Sequence, residues 1–176
     1  MGKRVLVVVD MQKDFVDGSL GSKEAVSIVP AVVKKARDFD GTVLFTRDTH
    51  GEDYMETQEG KYLPVAHCIR GTEGWELIPE LEEMKDSRKA QCFVKPAFGS
   101  VALAEALRAM YEAGELGSVE LVGLCTDICV VSNALLIKAF MPELPVSVDA
   151  SCCAGVTPEK HAAALETMRS CQIQIL

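Results

Sequence analysis

Residues 4–10 read RVLVVVD: after Arg4, an unbroken run of apolar, mostly β-branched side chains closed by a carboxylate. A strand with one wet face alternates polar and apolar positions, whereas an unbroken run is what a strand covered on both faces requires. Such a strand belongs in a parallel sheet sandwiched between helices, and the remaining sequence supplies the other parts. Thr42–Thr46, Gln91–Lys95, Val119–Gly123, Val146–Asp149 and Cys171–Leu176 read as further strands. Val26–Phe39, Ser100–Ala113 and a stretch from Thr126 to Phe140 have helical spacing, with Pro30 tolerable only in a first turn. Thr157-Pro158 supplies an N-cap and an N1 proline for a last helix to Arg169. Alternation of this kind predicts an α/β fold, three layers α/β/α around a six-stranded, mainly parallel, Rossmann-like sheet.

The 176 residues suit a single domain, 1–176, since two comfortable cores would need more chain. One segment resists assignment, Asp48–Gly74, and an irregular stretch of that length in so small a domain is usually functional. The balance of 18 Lys+Arg against 26 Asp+Glu leaves a net charge of −8, which repels phosphate backbones and argues against a nucleic-acid partner. Neither a membrane span nor a signal peptide's apolar region is present, so a cytoplasmic protein is expected. Seven cysteines form no CxxC pair and, in the absence of an export signal, suggest thiols rather than a disulfide framework.

In parallel sheets of this kind, ligands bind beyond the carboxyl ends of the strands. Asp10 ends the first strand, Asp48 follows the second, Lys95 ends the third, and Cys129 lies just past the fourth. A carboxylate, an amine and a thiol at one edge make a base, a cationic stabiliser and a nucleophile. A helix N-terminus and a nearby ammonium would both lower the thiol's pKa. Within the irregular segment, Asp48 and His50 form an Asp-x-His pair, and His67 is available to join them. Such borderline N and O donors suit Zn²⁺, Fe²⁺ or Mn²⁺. His161, in the last helix, reads as a surface residue.

The stretches VVVDMQKDFVDGSLG and GLCTDICV, with the Lys95-Pro96 pair, resemble the isochorismatase-like cysteine hydrolases, whose best-known members are nicotinamidases. The resemblance covers nearly the whole chain. It implies a catalytic triad of Asp10, Lys95 and Cys129, a cis peptide at Leu124-Cys125, and an oxyanion hole from the backbone N–H groups of Cys125 and Cys129. It implies a metal set of Asp48, His50 and His67, with Glu59 at the spacing of a fourth ligand and Glu52 and Glu56 as alternatives. It places Phe15 against the substrate ring, with Leu63 and Leu124 beside it, and homodimers or homotetramers are common in the family. Many nicotinamidases carry a tryptophan where Leu63 stands, with Tyr62 a substitute wall; Trp75 reads as an anchor for the loop's return.

The implied reaction is amide hydrolysis through a thioester, with nicotinamide as first substrate. Isochorismate cleavage is disfavoured, because isochorismatases proper replace the nucleophilic cysteine. Carbamoyl, ureido and small aliphatic amides form a second reading, and a non-catalytic ligand-binding protein on the same fold a third. A dinucleotide oxidoreductase is set aside, since no GxGxxG follows the first strand.

Overall fold

A computed structural model describes residues 2–176 of the chain. Six parallel strands form one sheet in the order β3-β2-β1-β4-β5-β6. They are β1 (Lys3–Val9), β2 (Thr42–Asp48), β3 (Cys92–Lys95), β4 (Leu116–Leu124), β5 (Val146–Ala154) and β6 (Gln174–Ile175). The helices are α1 (Lys13–Val16), α2 (Lys23–Asp38), α3 (Gln58–Tyr62), α4 (Pro79–Arg88), α5 (Val101–Glu112), α6 (Val131–Phe140) and α7 (Pro158–Ser170). The three-layer architecture expected from the strand pattern is what the chain adopts.

β1 shows why its sequence has no polar interruption. Val5, Val7 and Val9 pack with Leu103, Leu107, Ala134 and Met168 of α5, α6 and α7, while Leu6 and Val8 pack with Ile28, Val32 and Leu81 of α2 and α4. Both faces are dry, so both parities must be apolar. The adjacent cysteines Cys152 and Cys153 follow the same rule, since Cys152 joins the α2 side and Cys153 the α5–α7 side.

Several boundaries differ from the sequence reading. Ser22 caps α2 by accepting from the Ala25 amide at 3.0 Å, so the helix starts at Lys23 and Pro30 falls inside it. A proline there costs about 3 kcal/mol, but it sits on the exposed face while Ala25, Ile28, Val32, Val33 and Ala36 are buried on the other, and that burial outweighs the break. Helix α4, absent from the reading, has only Leu81 and Met84 buried, too sparse a stripe to give a periodic signal. The stretch from Thr126 is not one helix: a π-type turn, Thr126–Val130, precedes α6. Asp48–Gly74 is not structureless either, holding α3 and single helical turns at Tyr54–Glu56 and Glu73–Trp75.

The chain adds β2 and β3 on one side of β1, then crosses to place β4 on the other. The crevice beyond β1 and β4 is where such sheets offer room for a ligand. Gly123 lies there at φ +116°, and a Cβ at this position would lie 2.1 Å from the Val9 carbonyl oxygen of β1. Gly123→Ala combines backbone strain with a clash in the central strand pair, so its expected cost is above about 2 kcal/mol, measurable as a lowered urea midpoint with an unchanged slope.

Candidate active site

At the end of β1, Asp10 leaves the strand at φ +45°, a conformation uncommon for a side-chain-bearing residue. Thr46 of β2 holds it there: the Asp10 amide donates to Thr46 Oγ1 at 3.2 Å, and the same hydroxyl donates to Asp10 Oδ1 at 2.6 Å. The Lys95 ammonium lies 2.6 Å from Asp10 Oδ2. Oδ2 is thus the carboxylate oxygen that Thr46 does not engage. Lys95 Nζ also donates to the Ala97 carbonyl at 3.1 Å and to Cys129 Sγ at 3.3 Å, and lies 3.5 Å from Asp48 Oδ1. The structure thus brings Asp10, Lys95 and Cys129 together, and all three are almost completely buried.

Burial decides the charges here. It pushes the Asp10 carboxyl above the ordinary carboxylate range, although Lys95 pulls it down. It would lower Lys95 too, but Asp10, the Cys129 thiol and Asp48 outweigh it and keep the ammonium charged. The Cys129 thiol is pushed well up by burial and by Asp10, more than Lys95 lowers it. The lowered thiol pKa expected from the helix terminus and the ammonium is therefore corrected: burial and the Asp10 charge outweigh both.

The turn that carries Cys129 is fixed from several sides. The amides of Ile128 and Val130 both donate to the Cys125 carbonyl, at 3.1 and 3.0 Å. Asn133, buried, donates to the Cys129 carbonyl at 2.8 Å and accepts from the Ser100 amide at 2.9 Å. The Leu124-Cys125 peptide is cis, and the Cys125 amide donates to no backbone oxygen among the described residues. His161 is not a free surface residue as read, but is partly buried with Nδ1 2.8 Å from Thr126 Oγ1.

Asp48, His50, Glu59 and His67 each offer one ligand atom, all within 4.8 Å of one another. Asp48 Oδ2 lies 2.8 Å from His50 Nε2 and 3.5 Å from His67 Nε2, and Glu59 Oε1 lies 3.7 Å from both imidazole nitrogens. His67 Nδ1 is bonded to the Val65 carbonyl at 2.8 Å, which turns its Nε2 toward the cluster as a ligand, the usual arrangement behind a metal-bound histidine. Two imidazoles and two carboxylates fit a divalent ion. Burial would raise the Asp48 carboxyl, but the hydrogen bonds of His50 and His67 and the charge of Lys95 hold it well below the usual range.

A cavity of about 260 Å³ opens between the two clusters, near the about 300 Å³ lower bound of ligand pockets. Phe15, Leu63 and Leu124 all line it, together with Cys125 and Cys129. Phe98, which the sequence reading passed over, lines it as well. Tyr62 does not compensate for the missing tryptophan: its side chain points to solvent, 86% exposed. Trp75 does anchor the loop's return, its indole N–H donating to Thr49 Oγ1 at 2.7 Å. Gln12 clamps Asp48, accepting from its amide at 2.8 Å and donating to its carbonyl at 2.9 Å. Thr46, Gln12 and Asn133 were also missed as supporting residues. Gln12 had a signal, its place two residues after Asp10, but Thr46 and Asn133 look in sequence like ordinary strand and helix positions.

Comparison with known proteins agrees with this geometry. The family model described as the isochorismatase domain matches residues 4–176. The chain is 29% identical over 189 residues to the nicotinamidase/pyrazinamidase of Mycobacterium tuberculosis, covering 98% of each chain. A nicotinamidase/pyrazinamidase crystal structure from Bacillus subtilis superposes with a TM-score of 0.85 at 27% identity, covering 98% of both chains. A Pyrococcus horikoshii pyrazinamidase in complex with zinc gives a TM-score of 0.80 at 29% identity over 99% of this chain and 98% of that one.

Removing the ammonium strands two buried carboxylates. Lys95→Met is expected to cost about 3–5 kcal/mol of stability by urea unfolding at neutral pH. The loss shrinks in mild acid, where Asp10, its carboxyl already raised, takes up a proton.

Proposed function

From this chain's membership of the isochorismatase family we propose that it is a cysteine amidohydrolase whose substrate is a neutral ring amide, nicotinamide first, released as nicotinate and ammonia. The observation that carries the reading is the Lys95 ammonium, set between the Asp10 carboxyl and the Cys129 thiol at 2.6 and 3.3 Å. A second supports the substrate class. The cavity walls are largely apolar, with Phe15 and Phe98 as aromatic surfaces, and no lysine or arginine lines them. A ureido acid or maleamate would bring a carboxylate that no lysine or arginine among the described residues lining the cavity would meet, which favours the ring amide over that alternative. The comparators named nicotinamidase are consistent with this choice.

In this mechanism Asp10 Oδ2 takes the thiol proton as Cys129 Sγ attacks the amide carbon. Lys95 stabilises the developing thiolate and the Asp10 charge in turn. The amides of Cys125 and Cys129 hold the oxyanion, each donor of this kind contributing roughly 3 kcal/mol. Asp10 then protonates the leaving nitrogen, ammonia departs, and the acyl group remains on Sγ as a thioester. Asp10 next takes a proton from an incoming water, and collapse of the second tetrahedral species returns the thiol and releases the acid. Asp48, His50, Glu59 and His67 would hold the divalent ion, zinc by their chemistry, which when bound supplies Lewis-acid polarisation beside the pocket. A cytoplasmic homo-oligomer fits the free thiols and the family resemblance.

Metal-replete protein is expected to release ammonia from nicotinamide, with Cys129→Ala slower by at least about a thousandfold. Maleamate is expected to turn over far more slowly; a preference for it would overturn the ring-amide reading. Since Asp10 must be ionised to act as base, kcat/KM falls as pH drops through its raised pKa. Thr46→Val removes a hydrogen bond that favours the carboxylate, raises that pKa further, and shifts the acid limb of the pH profile to higher pH.

A further inference from the structure

The Thr126–Val130 turn carries Cys129 and follows directly on Cys125, whose amide is the other proposed oxyanion donor. Its Ile128 and Val130 amides converge on the Cys125 carbonyl, the Val131 amide donates to the Thr126 carbonyl, and no side chain of the turn's own N-cap closes it. Asn133 holds the far end through the Cys129 carbonyl. The side chains of the near end are held from a different element. Thr126 is fully buried, and its hydroxyl meets His161 Nδ1 of α7 at 2.8 Å, 35 residues away in sequence. Next to it, Asp127 Oδ1 accepts from the Val156 amide at 2.9 Å. The close approach of α7 depends on Gly155, where a Cβ would lie 2.8 Å from the His161 amide and 2.9 Å from Asp127 Oδ1.

We propose that His161 is a positioning residue: acting through Thr126, it fixes the first half of the nucleophile turn and so aligns the Cys125 and Cys129 amides on a common point. His161 does not line the cavity and has no contact with the substrate. Its role is that of a latch from α7 to the turn, beside the Gly155–Val156 wall that does line the cavity. The hydroxyl–imidazole bond works with either partner as donor, so a carboxamide at the Nδ1 position can replace it. The consequence for catalysis rests on Cys129 being the nucleophile. The consequence for the turn does not.

The test uses metal-loaded His161→Leu, Thr126→Val, the double variant and His161→Asn. Each single loss of the bond is expected to lower kcat by about 10- to 100-fold, the scale of a small misalignment of reacting groups, with KM changed less than about threefold. The double variant should lose no more than the worse single one, because both remove the same bond, and His161→Asn should recover most of the rate. In parallel, amide hydrogen exchange of the segment 124–131 should quicken in His161→Leu and not in His161→Asn. Wild-type kcat in His161→Leu, a double variant whose losses multiply, or no recovery with Asn overturns the proposal. Should wild-type protein hydrolyse none of the amides tested, the hydrolase reading falls while exchange still decides the latch: unchanged exchange in His161→Leu refutes it. Should His161→Leu not fold, Thr126→Val and His161→Asn carry the same comparisons.

Discussion

One buried ammonium organises this site. Lys95 Nζ sits within 3.5 Å of Asp10, Asp48 and Cys129, and the two buried carboxylates are costly in a dry interior without it. Two carboxylates share one cation, so the cluster remains acidic, and this has consequences on both sides. Toward Cys129, burial and the surplus negative charge push the thiol's pKa up. Toward the loop, Asp48 turns Oδ1 to Lys95 and Oδ2 to the two histidines. A single carboxylate therefore joins the thiol cluster to the metal-type cluster, and a divalent ion would offset the negative charge that Asp48 and Glu59 concentrate there.

The sheet makes that arrangement affordable in conformational terms. Asp10, Asp48 and Lys95 come from the ends of neighbouring parallel strands, where the register Asp48↔Lys95 is set by backbone hydrogen bonds rather than by the side chains themselves. Rigid strands place the charged groups, and polar side chains with no chemical task hold them in orientation. Thr46 grips Asp10, Gln12 grips Asp48, and Asn133 grips the turn. Preorganisation of this sort matters because donors already aimed at a developing charge need no rearrangement when it forms.

Legibility differed by the range of the interaction involved. The β1 run, the strand-end carboxylate and the GLCTDICV segment are local patterns, and the groups they mark do meet at one edge. Asp48, His50 and His67 were readable as a set because donor types carry the signal, whereas Glu59 came from the family resemblance with Glu52 and Glu56 left open, and the fold of their loop was not legible. Phe98 and Thr46 had no such signal: a phenylalanine after a strand and a threonine within one occur in any α/β protein. His161 was misread for the same reason, since nothing in α7 records that Thr126 lies opposite.

The amino-acid order by itself determined the strand–helix alternation, the unbroken apolar run Val5–Val9 of β1, and which side chains could serve as base, cation, nucleophile and metal ligands. These follow from periodicity and functional-group chemistry, which act over a few residues. Tertiary structure alone decided the raised pKa of Cys129, the division of Asp48 between two clusters, the lack of lysine and arginine among the described residues of the pocket wall and the bond between α7 and the Thr126–Val130 turn. Each depends on burial or on contacts between residues tens of positions apart, and desolvation and Coulomb energies are functions of distance in space, not of separation along the chain.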